Sequence, residues 1–444
     1  MPALKRIRRC GLSSALVSAL LATVSLHAEV RVLKNFTLID GTGRPPVPQA
    51  AMVIDNGRIT WIGPVSQLKA PAGAETTDLT GKFVMPGIID LHVHLGATID
   101  LTQDAKNQTP ENFEKNLKKY ASYGVTTVLS MGTDPDLVFR IRDEQHAGRP
   151  SEARVYTAGQ GFVFKNGYGG LVGVNQPVAT VAEIEPAVAA QAAKKVDFIK
   201  LWMDDELGTM PKMPYEMSAA IIASAKKHGL RTLAHIFYLA DAKKLTEQGI
   251  AGFVHSVRDQ PVDQALIDAM KKHGVWQEAA TLSREESMYA YGITPSFIND
   301  PFFVRGVSPE VIRLLSSPDR QKTISSAPHY GQYPKFAAMA KQNFKKLVDA
   351  GVKYGMGTDT GPPGRFAGYG DHWELSAMVD AGLTPMQVIV AATRSGAEFL
   401  SAKDLGTLEK SKWADLVVLD ANPLDNIRNT RAINSVYIAG KPVQ

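Results

Sequence analysis

The sequence predicts an α/β protein in which a TIM-like (β/α)8 barrel carries a small β-sandwich built from both chain termini. Eight short, β-branched and apolar segments alternate with helical stretches between residues 84 and 400. Residues 29–83 and 401–444 contain short strands and turns without a helical pattern. A barrel of about 250 residues and a smaller module would account for a chain of this length.

Each strand candidate of the barrel is followed by a helical stretch or a loop, which is typical of parallel βα units. The strand candidates are Val84–His94, Val125–Gly132, Arg154–Gly161, Phe198–Met203, Thr232–Phe237, Gly249–His255, Val275–Leu282 and Val352–Thr358. Two of the helical stretches end in Lys-Lys-His-Gly, a C-cap pattern. His228 and His273 are therefore predicted to lie at helix ends rather than to bind a metal.

Short strand candidates at both chain ends indicate antiparallel β-structure. They are Arg31–Leu33, Thr37–Gly41, Ala51–Ile54, Arg58–Ile62, Ala414–Leu419 and Ile433–Ile438. Asp55-Asn56-Gly57 separates two of them and favours a tight turn. We predict a composite β-sandwich from residues 29–83 and 401–444, and a barrel over residues 84–400.

One connection in the predicted barrel is much longer than the others. Residues 283–334 are rich in aromatic side chains and prolines, and they follow the seventh strand candidate. A loop of this length in a compact domain is usually a lid, a binding loop or an inserted subdomain. Since barrel active sites lie at this face, we predict a lid or an ordinary packed subdomain.

The N-terminus predicts export of the protein to the periplasm or the medium. Lysine and arginine at positions 5, 6, 8 and 9 precede an uncharged segment, residues 11–28. This is the pattern of a signal peptide over residues 1–28, with an uncleaved membrane anchor as the alternative. Cleavage would leave a net charge of about +1, which indicates neither nucleic-acid binding nor stable membrane association. It would also remove Cys10, the only cysteine.

Six residues at the ends of strand candidates can supply nitrogen and oxygen ligands for metal ions. They are His92, His94, Lys200, His235, His255 and Asp359. His92 and His94 stand two residues apart on one strand, so both imidazoles point the same way and can bind one ion. Because no thiolate would remain, the ligand set suits Zn²⁺, with Mn²⁺, Co²⁺ or Fe²⁺ also compatible.

The segments around these residues resemble the amidohydrolase superfamily. The matching segments are Met85-Pro86-Gly87-Ile88-Ile89-Asp90-Leu91 before His92-Val93-His94, then Asp197–Lys200, Leu233–His235, Phe253–Ser256 and Gly357–Thr360. Residues 374–400 and 414–417 look like the imidazolonepropionase-like branch, whose layout prolidase-type and N-acyl-amino-acid-cleaving members share. The resemblance covers nearly all of residues 31–444.

The resemblance implies a centre of two divalent metal ions. His92, His94 and Asp359 would hold one ion, His235 and His255 would hold the second, and Lys200, carboxylated by carbon dioxide, would bridge them. A carbamate supplies two oxygens and a negative charge that offsets the repulsion between two cations. The alternative for Lys200 is an ion-paired lysine inside the barrel. Asp359 would also be the catalytic group that accepts a proton from water and delivers it to the leaving amine.

Four residues are candidates for contacts with a small-molecule substrate: Tyr168, Tyr238, Arg258 and Arg365. Leu171, three residues after Tyr168, stands where related sequences often carry a histidine. Arg258 or Arg365 could bind a substrate carboxylate through two hydrogen bonds. A structural role for Tyr168 and a solvated loop position for Arg258 are the alternatives.

The resemblance implies a hydrolase that cleaves the amide C–N bond of a dipeptide of Xaa-Pro type or of an N-acyl amino acid, and the N-terminal pattern predicts that it is exported. Because activated water also attacks other centres, a metal-dependent lactonase, esterase or phosphotriesterase is an alternative. A cyclic-amide hydrolase or deaminase with one metal ion is another alternative, as is a non-catalytic, metal-stabilised binding protein. A homo-oligomer is also compatible with the sequence.

Overall fold

The computed structural model describes residues 30–443, and this part of the chain is a mixed α/β protein, as predicted. The predicted signal peptide, residues 1–28, lies outside the described residues. Within residues 30–443, none of the helices combines the length and the apolar character that crossing a bilayer requires.

Strands from both ends of the chain pair in one eight-stranded sheet. They are Arg31–Leu38, Val47–Asp55, Arg58–Pro64, Glu75–Asp78, Phe83–Pro86, Leu416–Leu419, Ile433–Ile438 and Lys441–Pro442. The C-terminal strand Leu416–Leu419 pairs antiparallel with Phe83–Pro86, and Phe83–Pro86 pairs parallel with the first strand. Apolar side chains from both chain ends, among them Phe36, Met52 and Leu416, form one buried cluster.

The tight turn predicted from Asp55-Asn56-Gly57 is present. Asp55 and Arg58 pair across the turn, while Asn56 and Gly57 both have positive φ angles, of 49° and 81°. Two successive positive φ angles are the signature of the hairpin turn that matches strand twist. A Cβ atom on Gly57 would also lie 2.4 Å from the carbonyl oxygen of Ala439, so this position requires glycine.

A second set of strands is parallel and occupies the middle of the chain. These strands are Ile88–Val93, Val125–Ser130, Arg154–Thr157, Phe162–Phe164, Gln176–Val178, Ile199–Met203, Thr232–Ile236, Gly252–Phe253 and Trp276–Gln277. The first three form one sheet and the other six form another. The chain passes from the first sheet to the second between Arg154–Thr157, which belongs to the three-stranded sheet, and Phe162–Phe164, which belongs to the six-stranded sheet. Thr98–Ile99 and Thr102–Gln103 form a separate short hairpin.

The strand predicted at Val352–Thr358 is not a regular strand. Residues 352–360 instead join the two parallel sheets through two single bridges. One bridge pairs Tyr354 with Gln277, and the other pairs Thr360 with Val93. Close backbone approach explains the irregularity, since a Cβ atom on Gly355 would lie 2.7 Å from the carbonyl oxygen of Glu278. Regular pairing of the sixth and seventh strands is likewise limited to Gly252–Phe253 and Trp276–Gln277, which is shorter than predicted.

Helices follow most of the parallel strands. They are Pro110–Ser122, Leu137–Ala147, Ile184–Ala193, Tyr215–Lys227, Leu239–Gln248, Gln264–His273, Leu282–Ala290, Pro301–Val304, Pro309–Leu315, Pro318–Ser325, Tyr333–Asp349, Tyr369–Asp380, Pro385–Val390 and Gly396–Leu400. The last two are joined by a π-helical segment, Ala391–Ser395.

The long connection at 283–334 is largely helical rather than an open loop. Tyr291, Ile298 and Phe303 pack with Val311 and Leu315 in a hydrophobic cluster of their own. The aromatic side chains of this segment therefore stabilise a small packed unit, which is the subdomain alternative of the sequence analysis.

Candidate metal centre

Five of the six predicted ligands surround one cavity of about 230 Å³, namely His92, His94, His235, His255 and Asp359. They come from the ends of the strands Ile88–Val93 and Thr232–Ile236 and from the irregular segments after Phe253 and Met356. Side chains at the same end of neighbouring parallel strands converge, so residues far apart in sequence meet here.

His92, His94 and Asp359 form the tightest part of this group. Oδ1 of Asp359 lies 3.0 Å from Nε2 of His94 and 3.6 Å from Nε2 of His92. One ligand atom from each residue lies within 4.8 Å of the other two. Nδ1 of His92 is 3.2 Å from the carbonyl oxygen of Val254, and Nδ1 of His94 is 2.8 Å from Oγ1 of Thr133. These contacts leave both Nε2 atoms to face Asp359, an arrangement that fits one cation.

His235 and His255 lie side by side, with ring centroids 4.2 Å apart. Nδ1 of His255 is 2.7 Å from Oγ1 of Thr281, and Nε2 of His235 is 2.7 Å from Oδ2 of Asp204. The other nitrogen of each ring, Nε2 in His255 and Nδ1 in His235, is not used by these contacts. The ring of His92 is 5.0 Å from that of His255, so the two histidine pairs form one group.

Lys200 is buried, and within residues 30–443 its ammonium group has no hydrogen-bond partner. Its Nζ atom lies 4.8 Å from the centroid of the Trp202 ring. Burial lowers the pKa of Lys200 to about 7, although Asp359 and Glu278 oppose the shift. The ion-paired alternative for Lys200 has no support in the described residues, where no carboxylate lies within salt-bridge distance of Nζ. A buried amine without a partner fits the position of a carboxylated lysine.

The electrostatics of the cavity favour the protonation states that metal ligands need. Burial lowers the pKa values of His92, His94 and His255, and it lowers the pKa of His235 to about 4 although Asp204 opposes this. The imidazoles are therefore neutral near pH 7.

Asp359 is ionised in the same surroundings. Burial alone would raise the pKa of Asp359, but the guanidinium of Arg365 and the hydrogen bond with His94 hold it well below its usual range. Neutral imidazoles and a carboxylate are the forms that bind a divalent cation, so the residues present fit a metal site.

Two of the four predicted substrate contacts border the cavity and two do not. Tyr168 and Arg365 line it, and the guanidinium of Arg365 contacts the Asp359 carboxylate. Tyr238 is not among the residues that line the cavity, and its hydroxyl donates to Asp205 at 2.7 Å. Arg258 is also outside the cavity lining: it is buried, and its Nη1 atom lies 3.1 Å from Glu285. An internal counterion explains both its burial and its direction.

Sequence reasoning missed several side chains around the centre. Asp204, Thr133 and Thr281 hold histidine rings, and Arg284 places Nε 3.5 Å from Oδ2 of Asp359. Thr281 and Arg284 follow the seventh strand, where the other strands carry ligands. That position was a signal in the sequence that could have identified them.

Comparisons with known proteins identify the family of this chain. A model described as the amidohydrolase family matches residues 83–443, and the chain therefore belongs to the amidohydrolase family. It is accordingly a metal-dependent hydrolase that acts on carbon–nitrogen bonds.

The relatives lie in one branch of that superfamily. An imidazolonepropionase of Streptomyces avermitilis is 25% identical over 386 residues, which cover 84% of this chain and 81% of that protein. An imidazolonepropionase of Streptomyces griseus is 24% identical over 411 residues, which cover 90% of this chain and 93% of that protein. The imidazolonepropionase-like and prolidase-type branch predicted from the sequence is thereby confirmed.

Solved structures share the fold at low sequence identity. A Xaa-Pro dipeptidase with bound methionine in its active site has a TM-score of 0.73 at 22% identity, covering 93% of this chain and 99% of that chain. The ochratoxinase of A. niger has a TM-score of 0.72 at 20% identity, covering 94% of this chain and 96% of that chain.

Proposed function

We propose that this protein hydrolyses the amide bond of an N-acyl amino acid or of a dipeptide of Xaa-Pro type, with two divalent metal ions, of which zinc is the first candidate. His92, His94 and Asp359 would hold one ion, and His235 and His255 would hold the other. A carbamate on Lys200 would supply the anion shared by the two ions. The observation that carries the proposal is the convergence of five ligand side chains on one cavity, with a buried and unpartnered lysine amine beside it.

The architecture proposed for this function is a (β/α)8 barrel over residues 84–400 with a β-sandwich from residues 29–83 and 401–444. The parallel pairings and the two bridges of the segment around Tyr354 and Thr360 support a closed barrel. Barrel enzymes carry their active sites at the carboxyl ends of the strands, which is where the ligand side chains are.

Asp359 has the central role among the residues of the chain. Bound divalent ions supply Lewis acidity toward water and toward the amide carbonyl. The Asp359 carboxylate accepts a proton from the attacking water and delivers it to the leaving nitrogen. Thr133, Thr281 and Asp204 fix the orientation of the histidine rings, so the ligand atoms are held in place before substrate binds.

Two residues of the cavity wall are proposed to select the substrate. Arg365 presents a guanidinium beside Asp359 and can bind the carboxylate of the amino-acid product through two hydrogen bonds. Tyr168 lines the same cavity, with its ring 5.3 Å from that of His235. The polar character of this small cavity supports an amino-acid substrate rather than a large apolar one.

A cyclic amide is the second candidate substrate. The observation that favours it is the similarity to imidazolonepropionases over most of the chain. The two candidates differ in product, because ring opening yields one molecule whereas cleavage of a linear amide releases a free amino acid.

The test is hydrolysis of a panel of Xaa-Pro dipeptides, aromatic N-acyl amino acids and cyclic amides by protein supplied with Zn²⁺ and bicarbonate. Asp359→Asn should reduce kcat by at least about 100-fold and leave the thermal unfolding transition in place. Asn is a mild replacement there, since Asp359 has a left-handed φ of 58° that asparagine tolerates. Asp349→Asn, at an exposed helix end, is the control and should retain activity. Full turnover by Asp359→Asn would refute the assignment.

Export of the protein is a separate proposal. It rests on the basic and then uncharged N-terminal sequence, residues 1–28, which lies outside the described residues. N-terminal sequencing of the protein recovered from a periplasmic fraction should begin at Glu29. Recovery of the whole chain in the cytoplasm would contradict the proposal.

A further inference from the structure

A second, larger cleft adjoins the metal cavity. Its volume is about 540 Å³, and its walls include the helix Pro110–Ser122, the tip of the short hairpin at Thr98–Asp100 and residues 305–308. Pro362 and Arg365 border both this cleft and the metal cavity. A molecule that occupies both spaces would pass Arg365, which is the arginine beside Asp359.

Basic side chains dominate this cleft. Lys115, Lys118, Lys119 and Arg305 line it, and Lys118 is paired with Glu114 at 2.5 Å. The ammonium groups of Lys115 and Lys119 have no hydrogen bond or ion pair with any residue that the structure describes. Lys119 is half-buried, and burial together with the charge of Lys115 lowers its pKa.

The other charged groups of the cleft leave this positive charge uncompensated. Asp100 is the carboxylate among the described lining residues; it accepts a hydrogen bond from Ser308 at 2.6 Å, and its charge opposes the lowering of the Lys119 pKa. One carboxylate does not balance the lysines and the arginine of this cleft. The guanidinium of Arg305 lies 4.1 Å from the Tyr123 ring and 4.4 Å from the Phe302 ring, so it is held by aromatic faces rather than by a carboxylate. Unpaired cations lining a cleft attract an anion.

We propose that this cleft binds a carboxylate of the substrate that lies at a distance from the scissile amide. The inference rests on the proposed function and makes it more specific: the preferred substrates are amides with a second carboxylate on the acyl chain or on the amino-acid side chain. Lys115 and Lys119 bind this distal carboxylate, while Arg365 remains available for the carboxylate next to the amide.

Matched pairs of amides test the proposal. An N-glutaryl amino acid and the corresponding N-pentanoyl amino acid differ in the distal carboxylate, and an Xaa-Asp dipeptide can be compared with Xaa-Asn in the same way. The natural protein should show a higher kcat/KM for the acidic member of at least one pair. A Lys115→Met/Lys119→Met double variant should lose about tenfold of that preference and keep its kcat/KM for the neutral member.

Lys118→Met is the matched control, because it removes the same charge from the same helix but from a lysine already paired with Glu114. It should keep the preference, and about 0.5 M salt should weaken the preference of the natural protein because screening is strong at that ionic strength. An equal kcat/KM for both members of each pair, or a preference that the double variant retains, would overturn the proposal.

A binding measurement separates this proposal from the proposed function. Glutarate binding is measured by calorimetry on the full chain without any turnover. If no amide is hydrolysed but glutarate binds the natural protein about tenfold more tightly than the double variant, the proposed function fails and the anion site is supported. Equal glutarate binding by the two folded proteins would refute the anion site, whatever the hydrolysis assay shows.

Discussion

Each histidine of the candidate metal centre has one ring nitrogen in contact with an oxygen atom of another residue, and this contact orients the ring. Thr133 and Thr281 supply hydroxyl groups to His94 and His255, and Asp204 supplies a carboxylate to His235. The Asp204 carboxylate can only accept, so it favours the tautomer of His235 with the proton on Nε2. All three contacts leave the other ring nitrogen available to a metal. The function of single residues in this protein therefore depends on partners that are remote in sequence.

Lys200 provides a residue-scale prediction about metal content. The natural protein, prepared with bicarbonate, should bind two zinc ions per chain, whereas Lys200→Ala should bind one or fewer because the bridging anion is lost. Elemental analysis of the dialysed proteins measures this. Incorporation of ¹³C-labelled bicarbonate, followed by NMR, should give a carbamate signal in the natural protein alone. A single bound ion in both proteins would refute the bridge.

Asp134 provides a residue-scale prediction about pH. It is buried and accepts hydrogen bonds from Ser130 at 2.6 Å and Thr157 at 2.5 Å, and burial raises its pKa from 3.8 to about 6 although these hydroxyls oppose the shift. The folded protein therefore holds this proton more tightly than the unfolded chain. The resulting stabilisation is complete below pH 3.8 and is lost as the pH rises through 6.

Asp134→Asn should remove this pH dependence, since the two hydroxyls can reorient toward an amide. Between about pH 4 and pH 7 the free energy of unfolding of the natural protein should fall by about 2 kcal/mol relative to the variant. Urea unfolding across this pH range measures the free energy of unfolding of both proteins. The other titrating groups contribute equally to both proteins and cancel in the difference. Curves that stay parallel would contradict the pKa assigned to Asp134.

At the scale of elements, the helix Leu282–Ala290 carries a charged cluster against the metal centre. Glu285 contacts both Arg284, at 2.8 Å, and Arg258, at 3.1 Å, and all three side chains are buried. Arg284 also reaches toward Asp359. The ion pair between Glu285 and Arg258 thus fixes the start of the 283–334 connection to the segment after the strand Gly252–Phe253. This contact helps to keep the start of the connection packed.

Glu285→Gln should destabilise the protein by about 3–5 kcal/mol, because two buried guanidinium groups would lose their counterion. Chemical denaturation monitored by tryptophan fluorescence measures the change. Glu310→Gln serves as the control: Glu310 pairs with Arg313 at the surface, so its loss should destabilise the protein far less than Glu285→Gln does. Equal effects of the two substitutions would show that the buried cluster does not hold this helix.

At the scale of the whole molecule, the C-terminal strands are tied to the parallel sheets by a buried ion pair. Arg154 Nε lies 2.7 Å from Oδ2 of Asp415, and Oδ1 of Asp415 accepts a hydrogen bond from the backbone N–H of Ala439 at 2.7 Å. Val417 and Leu419 also belong to a hydrophobic cluster that contains side chains of the parallel strands. The two sets of strands therefore share one core.

Asp415→Ala should lower the free energy of unfolding by about 3–5 kcal/mol, because Arg154 would remain buried without a partner. Differential scanning calorimetry should show a single transition at a lower temperature, since the shared core unfolds together. Asp404→Ala, which removes an exposed pair with Arg58, should change stability by less than about 1 kcal/mol. A separate early transition in Asp415→Ala would indicate that the two sets of strands unfold independently.

Much of the fold follows from local pattern in the sequence. The turn at Asn56 and Gly57 was predicted because few dipeptides adopt two positive φ angles. His228 is at the end of its helix, as predicted, with Gly229 after it at a φ of 72°. The strand Val125–Ser130 was predicted because a buried parallel strand is a continuous apolar and β-branched run. These features depend on neighbouring residues and are visible in the sequence.

The irregular elements could not be predicted in the same way. Residues 352–360 look like a strand, but their pairing is limited to single bridges, and Gly355 and Gly357 lie where a Cβ atom would collide with the neighbouring segments. The directions of Tyr238 and Arg258 were also not predictable, because Asp205 and Glu285 decide them. These hydrogen-bond and ion-pair partners lie in other elements, and the local sequence pattern does not indicate them.

By itself, the sequence determined the α/β class, the candidate ligand residues and the family to which the chain belongs, because these depend on residue type, periodicity and short motifs. Three features could be seen in the three-dimensional structure alone. They are the ring nitrogen that is available in each histidine, the position of Tyr168 and Arg365 at the cavity, and the position of Lys115 and Lys119 in an adjoining cleft. The physical reason is that burial, hydrogen bonding and charge compensation act between side chains that are close in space, whatever their separation along the chain.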